Sequence, residues 1–89
     1  MPVTGQRVVR RALGRRLTRL RLATGKSRRE VAEAKLGISE PTLHRIETGK
    51  VPVSPANVRA LCWLYGADQS ITDALAEMAL GTSQQEWWD

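Results

Sequence analysis

Residues 27–49, SRREVAEAKLGISEPTLHRIETG, hold two short helices and the turn between them, and their reading decides the fold. Ser27 followed by Glu30 is a capping box, in which hydroxyl and carboxylate each satisfy a backbone N–H that the first turn of a helix leaves without a partner. The helix starting at Ser27 has Val31, Ala32 and Leu36 on its buried side, and Gly37 is expected to close it in the left-handed conformation that a side chain resists. Ile38 then packs inward across the turn. A further helix runs over residues 39–48. Its cap is Ser39 or, because Pro41 disfavours helical geometry at the preceding residue, Glu40. Proline is tolerated there because first-turn N–H groups have no intrahelical acceptor. Leu43 and Ile46, three residues apart, share the inward face and leave Glu40, Pro41, Thr42, His44 and Arg45 outside. Two capped helices around a short turn, the second with an apolar underside and a polar edge, make a helix-turn-helix.

Outward from this centre, Leu13, Leu17 and Leu20 recur at helical spacing and predict a helix over residues 7–23, ended by Gly25. Gly14 weakens it by up to about 1 kcal/mol relative to alanine. Residues 1–6 read as a flexible arm. Ser54-Pro55 opens a helix that carries Val58, Leu61, Cys62 and Tyr65 inward and stops at Gly66. Ser70 with Asp73 repeats the capping pattern ahead of Ile71, Leu75, Met78 and Ala79, and Gly81 is the stop. No segment alternates with period two long enough for a strand. The expectation is all-α: a compact five-helix bundle over residues 7–81 with a central helix-turn-helix, and residues 82–89 as a tail or the start of a linker. Eighty-nine residues leave room for one core of this kind.

Charge is unevenly distributed. Residues 1–21 hold seven arginines (Arg7, Arg10, Arg11, Arg15, Arg16, Arg19 and Arg21) and no acid, whereas residues 66–89 hold Asp68, Asp73, Glu77, Glu86 and Asp89 and no Lys or Arg. The basic end suits a polyanion, although arginines spread around a whole helix cannot all reach one duplex, and an ordinary solvated face is the competing reading. On the outward edge of helix 39–48, Arg45 can fork onto guanine, His44 can donate to or accept from a base edge, Glu40 can accept from a cytosine amino group, and Thr42 or Pro41 can touch a thymine methyl. One histidine and one cysteine cannot build a closed zinc site, and Cys62 reads as a packing residue. No cofactor or metal is implied. Neither a nucleophile–base order nor a phosphate-cradling glycine loop appears, so an enzyme is not expected. A lone cysteine and the lack of a long apolar stretch point to a cytoplasmic, nucleoid-associated protein without a membrane segment.

Residues 13–66 resemble the phage-repressor-like (Xre-type) helix-turn-helix regulators of bacteria, a lambda-repressor-like fold. The resemblance rests on Leu20-Arg21 at the end of the first helix and on Ile46-Glu47-Thr48-Gly49 at the end of the third. It implies a structural ion pair between Arg21 and Glu47. The family's usual glutamine at the start of the second helix, a phosphate contact, is here Arg28, and a cation can serve that purpose more strongly. Ser27, Arg28, Arg29, Ser39 and Lys50 are then the phosphate-contacting set. AEAKLG, residues 32–37, carries one residue more than the commonest spacing. The tail LGTSQQEWW, residues 80–88, resembles the point where a subgroup of high-GC bacterial regulators continues into a C-terminal sensor or partner domain.

Trp63, Trp87 and Trp88 are three of the four aromatic residues. The last two can fold back on the domain, meet a second subunit or contact a downstream domain. With Ile71, Leu75 and Met78 they form the expected dimer or partner surface, unless those helix residues belong wholly to the monomer core. The functional expectation is a homodimeric regulator that binds double-stranded DNA sequence-specifically. The alternative is an antitoxin-type interaction module that binds a small partner protein, with DNA contact secondary. RNA binding is disfavoured because the basic half lacks aromatic platforms.

Overall fold

The computed structural model describes residues 2–82, with side chains from Arg7 onward. Five helices follow in order: α1 (Pro2–Thr24), α2 (Arg28–Glu33), α3 (Glu40–Glu47), α4 (Pro55–Tyr65) and α5 (Gln69–Leu80). No strand is present among the described residues. α4 and α5 pair side by side, α1 lies across α3, α4 and α5, and α2 packs on α3. The shared core takes Leu13 and Leu17 from α1, Val31 from α2, Leu43 and Ile46 from α3, Val58, Leu61 and Cys62 from α4, and Leu75, Ala76 and Ala79 from α5. Each large aliphatic side chain removed from water in this way contributes roughly 1.5–3 kcal/mol before the cost of ordering the chain.

Several boundaries differ from the sequence reading. Helical backbone begins at Pro2, so the segment expected as an arm over residues 1–6 continues α1 from Pro2 onward. A proline in the first helical turn loses nothing by lacking an N–H, and its fixed φ already suits a helix. α2 stops at Glu33, well short of Gly37. The left-handed position that breaks the chain direction is Lys35, at φ 62°, with Gly37 left-handed again at φ 83°. The turn between α2 and α3 therefore holds two left-handed residues within AEAKLG. α5 is capped by Asp68, whose carboxylate accepts from the Ile71 N–H at 2.8 Å, rather than by Ser70. Asp73 instead accepts from Arg59 at 3.0 Å and from the Gln69 amide at 2.9 Å, contacts that hold its carboxyl below the usual range.

The packing also extends one residue past 81. Thr82 is fully buried, and its hydroxyl donates to the Ala79 carbonyl at 2.7 Å and accepts from the Val53 N–H at 3.1 Å. Arg10 of α1 donates through Nε to the Thr82 carbonyl at 2.8 Å. The end of α5, the loop after α3 and the first helix are therefore tied at one point.

Candidate nucleic-acid interface

α3 is a short helix gripped along one side. Leu43 and Ile46 are buried, whereas Glu40, Pro41, His44 and Arg45 are exposed. Ser39 is its cap and accepts from the Thr42 N–H at 3.2 Å, so Pro41 falls inside the first turn, where it displaces no hydrogen bond. The Ser39 hydroxyl also donates to Thr42 Oγ1 at 2.9 Å, and Thr42 is half-buried. The outward edge is therefore sharpest at four positions, with Thr42 partly occupied in closing the cap.

The far end of α3 is fixed by a buried carboxylate. Arg21 donates to Glu47 Oε2 through Nε at 2.7 Å and to Oε1 through a terminal nitrogen at 3.1 Å, and Arg28 donates to Oε1 through Nε at 2.8 Å. The remaining terminal nitrogen of Arg21 donates to the Lys26 carbonyl at 2.9 Å. One carboxylate thus joins the last turn of α1, the first turn of α2 and the last turn of α3. A buried charge is tolerable only when it is paired and hydrogen-bonded, and Glu47 has three donors. The bond to Glu47 raises the Arg21 pKa above its ordinary value. Tyr65 lies close by with its pKa pushed up to about 12, first by burial and then by the Glu47 charge.

Two glycines let α1 approach α3 closely. A Cβ on Gly14 would sit 2.5 Å from the Glu47 carbonyl oxygen and 2.6 Å from that of Ile46, and a Cβ on Gly49 would sit 2.9 Å from Arg11 Cγ. The α1 arginines divide around this crossing. Arg7 and Arg11 border the end of α3, whereas Arg16 and Arg19 border a groove beside Ile71 and Leu75 of α5.

A family model described as a helix-turn-helix domain matches residues 12–75, which spans α2, α3 and the whole Glu47 junction. The chain belongs to the helix-turn-helix domain family. No curated protein and no solved structure matches it significantly. Membership supports DNA binding in a regulator, and the all-helical core is the scaffold that carries it.

Within this helix-turn-helix domain the expected phosphate-contacting residues are already engaged to different degrees. Ser27 caps α2, accepting from the Glu30 N–H at 3.1 Å, while Glu30 accepts from the Ser27 N–H at 2.8 Å, and that bond holds the Glu30 carboxyl below its usual range. Arg28 turns toward Glu47 and keeps 36% of its side chain exposed, so part of its charge is spent inside the protein. Arg29 is exposed and lies 3.5 Å from Glu33 one turn on. Lys50 is exposed and forms no ion pair among the described residues.

The residues of the expected dimer or partner surface are buried to different degrees. Leu75 is 3% exposed and Met78 is packed against the core, because α5 turns that stripe onto its neighbours; only Ile71 of the three is exposed. Trp87 and Trp88 lie outside the described residues. Among the described residues no three His, Cys, Asp or Glu side chains gather as a metal site, and no helix is long and apolar enough to cross a membrane. Cys62 is buried, and burial pushes its thiol pKa up. Sequence reasoning missed the close-approach role of Gly14 and the Thr82 tie. An interior glycine in an otherwise strong helix was the available signal for the first; the second depends on long-range contact and left none.

Proposed function

We propose that this domain is a sequence-specific transcriptional regulator that lays α3 in the major groove, acting as a homodimer on a roughly two-fold operator with half-sites about 34 Å apart. The observation that carries it is the division of α3, with Leu43 and Ile46 buried and Glu40, Pro41, His44 and Arg45 exposed along the opposite edge. Those four, with Thr42 in a lesser part, present donors, acceptors and apolar surface of the kinds that distinguish base pairs in that groove. Ser27, Arg28 and Arg29 at the start of α2, Ser39 at the start of α3 and Lys50 just beyond its end are the residues that would position the DNA backbone without reading sequence. The exposed Ile71 supports self-association through α5.

The test is selection of bound genomic fragments with the purified chain, followed by binding of variants to the recovered sequence. His44→Ala or Arg45→Ala is expected to cost about 1–3 kcal/mol and to relax preference at one operator position. Two chains should occupy each full site. Equal losses on selected and scrambled duplexes would remove direct readout by α3.

A further inference from the structure

We propose that Arg7 and Arg11 of α1, together with Lys50, form a clamp for a backbone phosphodiester of the bound duplex, carrying the DNA interface beyond the helix-turn-helix onto the first helix. The inference rests on the major-groove reading given above and names a contact that reading does not require.

A cleft of about 360 Å³ opens between α1 and the end of α3, lined by Arg7, Arg10 and Arg11 on one wall and Thr48, Gly49 and Lys50 on the other. Its walls are held at a fixed separation. Gly49 is left-handed at φ 77°, and a Cβ there would meet the Arg11 Cα at 3.0 Å, so the α1 backbone is seated directly against the turn that ends α3. Arg10 is tied by Nε to the Thr82 carbonyl at 2.8 Å. Arg7, Arg11 and Lys50 are exposed and make no ion pair among the described residues. Cations converging on one cleft repel one another unless an anion sits between them.

Position decides which anion. Thr48 lies one turn beyond His44, so the exposed edge of α3 runs straight into the cleft, and the Thr48 hydroxyl is bonded back to the His44 carbonyl at 2.9 Å. The major groove is about 12 Å wide and walled on both sides by phosphates. A helix seated in it carries its flanking residues to one of those walls. The cleft presents guanidinium forks there, the group best matched to phosphate oxygens.

The test compares the salt dependence of affinity for the selected duplex between the wild-type chain, Arg7→Gln/Arg11→Gln, and Arg16→Gln/Arg19→Gln, which removes the same charge from the side of α1 facing α5. With one phosphodiester released per chain and two chains on each full site, loss of the clamp makes the log–log salt slope shallower by about 1.8. The first pair should show this with unchanged preference for selected over scrambled DNA, and Arg7→Lys/Arg11→Lys should restore most of the slope. The second pair should change it little. An unchanged slope in the first pair, or equal changes in both pairs, overturns the clamp. A matching slope change on an RNA duplex of the same sequence also overturns it, by assigning the cations to polyanions in general. Absence of any sequence preference in the wild-type chain sinks the major-groove reading itself, and is thereby distinguishable from failure of the clamp alone.

Discussion

Glu47 decides whether α3 holds its orientation. Its carboxylate is almost completely buried against two guanidinium groups, so its charge is compensated only while the folded geometry persists. Glu47→Gln keeps the shape of the side chain and removes the charge, leaving Arg21 buried without its counter-ion. The expected cost is about 3–5 kcal/mol, read as a lower urea midpoint with an unchanged slope. That would consume much of the margin of a small domain. Replacing both partners, as Arg21→Met with Glu47→Leu, should cost less than the single change, because no unpaired charge is then buried. A single-variant loss under 1 kcal/mol would show that water reaches the carboxylate and that the junction is not what fixes α3.

At the level of the element, the contact between α1 and α3 is made possible by the missing side chain of Gly14. Alanine favours helix over glycine by about 1 kcal/mol, so Gly14→Ala should stabilise an isolated α1. In the folded protein the added methyl meets two backbone carbonyl oxygens that cannot rotate away. Overpacking of this kind costs about 1–3 kcal/mol or more, and the net expected result is a lower thermal midpoint despite the gain in propensity. A raised midpoint would mean that the two helices separate without penalty. Gly14 also marks where sequence legibility ends. Capping chemistry is local, so Ser27, Ser54 and the stop at Gly66 were readable, as was the inward pair Leu43 and Ile46; of the five outward positions read opposite that pair, four are exposed and Thr42 is half-buried. The cap of α5 was misread because Asp68 and Ser70 both suit the role and only the backbone path decides between them. Leu75 and Met78 could serve a core or a dimer equally well in one dimension, and the packing of α5 against α1 and α4 assigns them inward. The second donor on Glu47, Arg28, was hidden for the same reason: nothing local links residue 28 to residue 47.

The whole molecule is electrically lopsided, and the imbalance has a thermodynamic consequence of its own. Arg7, Arg11, Arg15 and Arg19 follow one another at four-residue intervals along α1, so neighbouring guanidinium groups share a side of the helix. Like charges at this spacing destabilise a helix by about 0.2–0.5 kcal/mol per pair, which for this row amounts to roughly 1 kcal/mol. No acid of α5 forms an ion pair with this row among the described residues: Asp73 is taken by Arg59 and Gln69, and Glu77 is in no salt bridge. Raising sodium chloride from about 0.01 M to about 1 M shortens the screening length from about 30 Å to about 3 Å and should therefore stabilise the free protein. About 1 kcal/mol corresponds to roughly 4–8 °C in thermal midpoint for a domain of this size. The buried Glu47 junction is screened far less and should not offset the gain. Arg7→Gln/Arg11→Gln removes most of the repulsion, so its midpoint should be higher at low salt and flatter as salt rises. Phosphate at equal ionic strength should stabilise the wild-type chain more than chloride does, because it can occupy the cleft as well as screen it. A wild-type midpoint that falls with salt would mean that attraction, not repulsion, dominates the charges of α1.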